Sequence, residues 1–273
     1  MSARASRRAL LLGGAAAGLA ACARSYQQEL DASDGRQADG RFRSRAMAGG
    51  EVGWAVRYPP GHGPGDRLPV VLSLHARGAS HRTAFTALGM GAALDRLVSR
   101  GAAPFALATV DGGDHGYWHE RQDGTDAGSM VVDELVPMLA RRGLDTTRLA
   151  LHGWSMGGYG ALLLAGRRRL QALAVAVASP ALFTEAGHTP PGAFDGAADY
   201  RRNDVYGRPD LLHGVPLRVD CGRSDPFYAA ARTFVARVHP APVATFGPGG
   251  HDAAYWRSVA PAELAFLARH LTG

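Results

Sequence analysis

Gly153-Trp154-Ser155-Met156-Gly157-Gly158 is the stretch whose reading decides the fold. It follows the short apolar run Leu149-Ala150-Leu151, a length that suits a buried strand. It precedes Tyr159-Gly160-Ala161-Leu162-Leu163-Leu164-Ala165, which reads as a small-faced helix. A serine at the tip of a sharp strand-to-helix turn sits in a strained backbone conformation, so its neighbours two positions either side have room for little or no side chain. The helix that starts there aims its first N–H groups at the place where an oxyanion would form. The string alone is a moderate signal in a chain with 36 glycines, because an ordinary Ser in a Gly-rich turn spells the same letters. The strand before it and the helix after it favour a nucleophile.

Outward from this turn the chain alternates strands and helices. Residues 41–45 and 52–58 alternate in polarity around Gly49-Gly50, the pattern of a hairpin opening a sheet. Residues 68–74 form a continuous apolar strand, as expected where helices cover both faces of a sheet. A helical pattern over 85–100 ends at Gly101, and further strands are predicted over 105–110, 172–177, 216–222 and 243–246. Helices are predicted over 130–142, with Glu134 and Pro137 inside, over 228–238, and from Asp252 to Leu271. The predicted class is α/β, a mostly parallel central sheet with helices on both faces, occupying residues 41–273 of a chain whose 46% hydrophobic content supports a sizeable core. Between 179 and 214 the pattern breaks into Pro, Gly, Asp and Arg with scattered aromatics, which reads as a small irregular cap over the site.

A serine nucleophile needs an acid, a base and two oxyanion donors. The acid belongs beyond the strand at 216–222. Asp225 is in the loop while Asp220 is still on the strand, so Asp225 is the candidate; it is also placed to cap the next helix, with Pro226 following. His251, in Gly247-Pro248-Gly249-Gly250-His251-Asp252 after the last strand, is the candidate base. His239 and His270 read as surface residues. The oxyanion donors are the backbone N–H groups of Met156 and of Arg77, with Ala76 as the alternative to Arg77. His75 reads as a core or loop histidine. The Arg77 side chain either faces solvent or favours a polar or anionic substrate. The loop Asp111-Gly112-Gly113-Asp114-His115-Gly116-Tyr117-Trp118-His119 lies where ligands bind in open α/β sheets, and Tyr117, Trp118 and, further on, Trp256 are candidate pocket walls. Asp114, His115 and His119 would need a helix to converge on a metal, and Gly116 argues against one. The chemistry calls for no cofactor.

Taken together, three motifs carry a resemblance: Gly153-Trp154-Ser155-Met156-Gly157-Gly158, Asp220-Cys221-Gly222-Arg223-Ser224-Asp225-Pro226-Phe227 and Gly250-His251-Asp252-Ala253-Ala254-Tyr255-Trp256. From about Phe42 to the C-terminus the chain resembles the esterase D branch of the α/β-hydrolases, which includes the mycobacterial mycolyltransferases. The resemblance implies an α/β-hydrolase fold and a serine carboxylic-ester hydrolase working by a Ser-His-Asp triad through an acyl-enzyme. It also admits an acyltransferase that moves an acyl group to an envelope sugar or glycolipid. A non-catalytic binding lipoprotein on the same fold is a third reading. Arg77 stands where the family's loop often carries an apolar residue, which leaves the backbone role intact and speaks against a lipid-like acyl pocket.

The first residues belong to no core. Arg4, Arg7 and Arg8 precede a short apolar segment from Ala9 to Ala20, the make-up of a signal peptide over 1–21, and Ser6-Arg7-Arg8-Ala9-Leu10-Leu11 resembles a twin-arginine signal. Leu19-Ala20-Ala21-Cys22 looks like a lipobox, with Cys22 the lipidated first residue. A lipidated Cys22 leaves Cys221 without a disulfide partner, as the chain has two cysteines. The polar stretch 22–40 reads as a flexible tether. The expected place is therefore outside the cytoplasmic membrane, on a lipid anchor, or secreted where Cys22 is not lipidated. Part of the formal charge of +6 comes from the signal region, and no Lys/Arg stripe interleaves with aromatics, so a nucleic-acid partner is not expected. The expected partner is a small-molecule or glycolipid ester.

Overall fold

The structure, a computed structural model, describes residues 36–272; the signal-like segment, the lipobox with Cys22 and the first part of the tether lie outside the described residues. Among the described residues eight strands form one sheet: β1 (Gln37–Arg43), β2 (Glu51–Arg57), β3 (Pro69–Leu74), β4 (Ala106–Val110), β5 (Asp145–Trp154), β6 (Val175–Ala178), β7 (Leu217–Asp220) and β8 (Val243–Thr245). Their order is β1-β2-β4-β3-β5-β6-β7-β8. β2 runs antiparallel to both β1 and β4, and every other pairing is parallel. The chain therefore has the α/β-hydrolase fold that its pattern of strands and helices predicts.

Why the central strands read as unbroken apolar runs is visible in where their side chains go. Successive residues of a strand face opposite sides of the sheet. Val70, Leu72 and Leu74 enter one hydrophobic cluster while Val71 enters the other; Leu149 and Leu151 likewise oppose Ala150. Helices α1 (Thr83–Thr86), α2 (Met90–Ser99) and α7 (Ala253–Leu271) cover the second face. On the first lie a helix over 127–141 (α3), α4 (Met156–Gly166) and α6 (Tyr228–Arg237). α4 is buried along its whole length, which explains why it carries no charged residue and is made mostly of Gly, Ala and Leu.

Two details differ from the sequence reading. β1 begins at Gln37, so residues 37–40, which read as tether, pair with 54–57 in the sheet. An edge strand facing solvent is held by backbone hydrogen bonds and carries no apolar period to detect. α3 is longer than predicted. The Asp126 side chain accepts from the Ser129 N–H at its start, and a wider turn over Met130–Leu135 ends where the Val136 N–H reaches Val131 O, just before Pro137. That widened ladder accommodates a proline, which has no N–H to give.

The stretch 179–214 crosses the first face with little regular structure beyond α5 (Ala197–Asn203) and single turns at Ala186–His188 and Pro209–Leu212. It is pinned by aromatics. Phe194 packs against Tyr117, Tyr159 and Tyr200 with ring centroids 5.3–5.9 Å apart. The Tyr200 hydroxyl donates to Phe183 O at 2.7 Å.

Candidate active site

β5 ends in the turn that presents Ser155 at φ 53°, ψ −118°, a conformation that costs a non-glycine residue roughly 1–3 kcal/mol. Its neighbours hold it there: the Ser155 N–H donates to Ala178 O, and Ser155 O accepts from the N–H groups of Tyr159 and Ala181, all at 3.0 Å. The flanking glycines are required by contact. A Cβ on Gly153 would lie 2.2 Å from Gly157 O, and one on Gly157 would lie 2.0 Å from Leu74 O.

The loops after β7 and β8 are joined to each other. The Arg223 N–H donates to Gly247 O and the Ser224 N–H to Gly249 O, each at 2.9 Å, and Gly222 packs so closely that a Cβ would strike Gly249 O. This pairing delivers Asp225 from one loop and His251 from the other. Ser155 Oγ lies 2.8 Å from His251 Nε2, and His251 Nδ1 lies 2.8 Å from Asp225 Oδ2. The other carboxylate oxygen of Asp225 accepts from the Phe227 N–H at 2.8 Å, which closes the turn ahead of α6. Burial pushes the Asp225 carboxyl up, but hydrogen bonds from His251 and the Phe227 N–H outweigh it, so its pKa lies below the ordinary value. Ser179 Oγ, fully buried, sits close enough to support that charge without closing a well-formed hydrogen bond. Asp220 stays on β7, fully buried and gripped by the Arg218 guanidinium at 2.6 and 2.9 Å. Its pKa is pushed up to about 7, first by burial and then by the nearby Glu263.

The loop after β3 faces the start of α4. Met156 is the first residue of that helix, so its N–H has no acceptor within it. His75 is buried between the two loops that follow β3 and β4. Its Nε2 accepts from the Gly112 N–H at 2.9 Å, which places the proton on Nδ1, and Nδ1 donates to Ala76 O at 2.7 Å. The Ala79 N–H donates to the same carbonyl at 3.1 Å. In a trans peptide the C=O and the following N–H point in opposite directions. The Arg77 N–H is thereby turned away from His75, while Ala76, Arg77 and Gly78 line the cavity at Ser155. This geometry prefers Arg77 to Ala76 as a second donor. His75 itself is held below the ordinary histidine pKa by burial.

The cavity over Ser155 and His251 has a volume of about 640 Å³. Arg77, Tyr117 and Trp256 line it, as does the cap stretch through Phe183, His188 and Pro190. Trp118 does not. It is buried beneath the wall, its ring 5.2 Å from that of His75 and so close to Gly112 and Gly160 that a Cβ on either would strike it. Its neighbour Tyr117 takes the wall position because both residues adopt left-handed backbone, φ 43° and 63°, which turns the loop between them. Asp114 and His115 are exposed, and His119 is buried with its ring stacked on Phe194. Among the described residues no three His, Cys, Asp or Glu side chains gather as metal ligands would. Nothing in the spacing of residues 179–214 could have pointed to Phe183 or His188 as pocket residues, since they reach the site through an irregular crossing.

Residues 44–267 match the Esterase family, whose description is "Putative esterase". The chain belongs to this family. It is a serine esterase, a hydrolase of small-molecule carboxylic esters. No curated protein matches the sequence. Solved structures share the esterase's fold. A ferulic acid esterase superposes with a TM-score of 0.73 at 21% identity, over 86% of this chain and 98% of its own. An S-formylglutathione hydrolase from Agrobacterium tumefaciens gives 0.71 at 17%, over 86% and 95%. A fluorophosphonate-binding serine hydrolase from Staphylococcus aureus gives 0.69 at 17%, over 85% and 98%. At these identities the likeness speaks for the fold.

Proposed function

We propose that the esterase works by a Ser155-His251-Asp225 triad through an acyl-enzyme. The observation that carries this reading is the unbroken hydrogen-bond chain, 2.8 Å from Ser155 Oγ to His251 Nε2 and 2.8 Å from His251 Nδ1 to Asp225 Oδ2. Ser155 Oγ attacks the ester carbonyl carbon as His251 Nε2 takes its proton, and Asp225 keeps the imidazole oriented and stabilises its charge. The backbone N–H groups of Met156 and Arg77 receive the carbonyl oxygen as it becomes an oxyanion, each worth on the order of 3 kcal/mol of barrier. When the tetrahedral species collapses, the alkoxy C–O bond breaks and His251 returns the proton to the leaving alcohol. Water, deprotonated by His251, then attacks the acyl-enzyme and releases the acid and Ser155.

A fluorophosphonate probe tests this directly: the wild-type protein is labelled on Ser155 and Ser155→Ala is not. A folded wild-type protein that resists the probe sinks the mechanism. The same proposal sets the esterase at the cell envelope, exported by the twin-arginine-like segment and held by lipid on Cys22; this part rests on the sequence of residues 1–22 alone. Mass spectrometry of the N-terminal peptide from the membrane fraction of the native host tests it. An unprocessed N-terminus, or a mature one without acyl mass, counts against it.

A further inference from the structure

We infer that the esterase prefers esters carrying a carboxylate, which the Arg77 guanidinium and the Tyr117 hydroxyl receive at the mouth of the Ser155 cavity. The inference rests on the proposed triad, since it concerns what that site accepts. Three features of the cavity lead to it.

The first is an uncompensated cation. Arg77 is exposed on the cavity rim and has no ion pair or side-chain hydrogen bond among the described residues. Arg82 and Arg121, elsewhere on the surface, are paired with Asp39 and Asp195 at 3.0 and 2.8 Å. No Asp or Glu lines the cavity. Of the acids on the neighbouring segments, Asp225 is covered by His251, Asp111 is held by His81 at 2.8 Å, Glu185 reaches the His188 ring at 3.0 Å, and Asp114 is exposed and makes no ion pair with Arg77.

The second is a neutral donor beside that cation. The Tyr117 ring is locked by Tyr159, Phe183 and Phe194, with centroids 5.5–5.6 Å away, yet its hydroxyl makes no hydrogen bond among the described residues. Burial pushes its pKa up to about 12 against the pull of Arg77, so the hydroxyl keeps its proton and can donate.

The third is the character of the remaining wall. Phe183, Pro190 and Phe227 are apolar, the Trp256 indole has only a donor, and the His188 ring is engaged by Glu185 and Thr184, so these side chains offer no free acceptor to a guanidinium. A wholly apolar ester bound here covers part of the Arg77 side chain and gives its charge no counter-ion. A carboxylate instead meets the planar fork of the guanidinium with two parallel hydrogen bonds. Arg77 is also one of the two proposed oxyanion donors through its backbone N–H, so its side chain starts close to the ester and can reach a group in either half of the substrate.

Two matched pairs of esters test this: phenyl acetate against its carboxyphenyl counterpart, and phenyl butyrate against the phenyl monoester of glutaric acid. Acid release is followed for the wild type, Arg77→Gln, Arg77→Lys and Tyr117→Phe. The quantity read is the ratio of kcat/KM, anionic over neutral, within each protein. Any disturbance of the oxyanion loop scales both members of a pair and cancels in that ratio. The wild type is expected to favour the anionic member of at least one pair, and Arg77→Gln to lower that ratio about tenfold, the effect of losing a charge-assisted pair at a solvent-exposed site. Arg77→Lys restores part of it, Tyr117→Phe lowers it by less than Arg77→Gln, and added salt weakens it. A wild-type ratio at or below one in both pairs, or a preference that Arg77→Gln leaves intact, overturns the inference. If the wild-type protein hydrolyses neither member and also resists the fluorophosphonate probe, the triad reading has failed and the specificity reading falls with it.

Discussion

A Cβ placed on Gly157 would lie 2.0 Å from Leu74 O and 2.7 Å from His75 O, so the first turn of α4 rests directly on the end of β3. Of the two proposed oxyanion donors, Met156 begins that helix and Arg77 lies in the loop that leaves that strand, so their spacing depends on that bare contact. Replacing Gly157 with Ala forces backbone against backbone, with no flexible side chain to yield. The expected loss is about 2 kcal/mol or more of stability. It is read as a lower urea midpoint, and ester turnover per folded molecule is expected to fall as well. A Gly157→Ala protein with unchanged midpoint and rate would show that the helix start can shift freely.

His75 acts on the reaction through the peptide it holds, which makes it a positioning residue. With Nδ1–H on Ala76 O and Nε2 accepting from Gly112, only the neutral imidazole satisfies both bonds. His75→Leu removes both and is expected to lower kcat by about ten- to a hundredfold, less than outright loss of an oxyanion donor, with KM little changed. His75→Asn keeps a donor close to the Nδ1 position and should recover part of the rate. The pH dependence has a definite sign. Folding lowers the pKa of His75 from its ordinary 6.5, so the unfolded chain takes up a proton that the folded one refuses. The stability linked to neutral His75 is whole above pH 6.5 and is lost as pH falls below it. His119, also lowered by burial, adds a slope of the same sign. The urea midpoint should therefore fall less between neutral and mildly acidic pH in His75→Leu than in wild type. Equal slopes would mean that His75 titrates alike in both states.

How far the sequence reached depends on whether a feature is written in periodicity or in packing. The central sheet was legible because strands buried on both faces must be apolar throughout, as in Val70-Val71-Leu72, whichever cluster each residue enters. The elbow was legible because close backbone contacts at Gly153 and Gly157 leave glycine as the fitting residue. Asp225 and His251 followed from their loops lying at the ends of successive strands, and the structure brings them together with Ser155. The role of His75 was not legible, since a core histidine and a backbone clamp look the same in one dimension. Sequence alone puts Trp118 on the wall because an aromatic next to a wall residue looks like one. The left-handed backbone that sends Tyr117 outward and Trp118 inward depends on Gly112 and Gly160 making room for the indole.

Asp225 and Asp220 lie five positions apart, both buried, and their substitutions should separate chemistry from stability. Asp225→Asn keeps the shape but offers His251 an amide that stabilises neither the tautomer nor the imidazolium, and kcat is expected to fall about 10⁴-fold. Asp220→Asn instead deprives Arg218 of its carboxylate. Breaking a buried pair costs about 3 kcal/mol, so the loss should appear mainly in the unfolding curve. The comparison needs kcat and a urea midpoint for each variant. A catalytic loss confined to Asp220→Asn would move the acid's role from the loop to the strand.

Cys221 directly follows Asp220 at the end of β7, fully buried. Burial, and then the nearby Asp225 carboxylate, push its thiol up to about 12, so almost no thiolate exists at neutral pH. Thiolate is the reactive form, and the residue has no exposed surface. Native protein lacking the segment that bears Cys22 should therefore resist iodoacetamide at neutral pH and take up one equivalent only in denaturant. The labelling rate then reports opening of the strand end that carries the acid loop. Because the thiol lies beside Asp225, Gly157→Ala should leave it protected unless the whole sheet loosens, whereas Asp220→Asn, one residue from Cys221, unties Arg218 and should speed its labelling. Rapid labelling of the native wild-type protein would contradict the burial on which this argument stands.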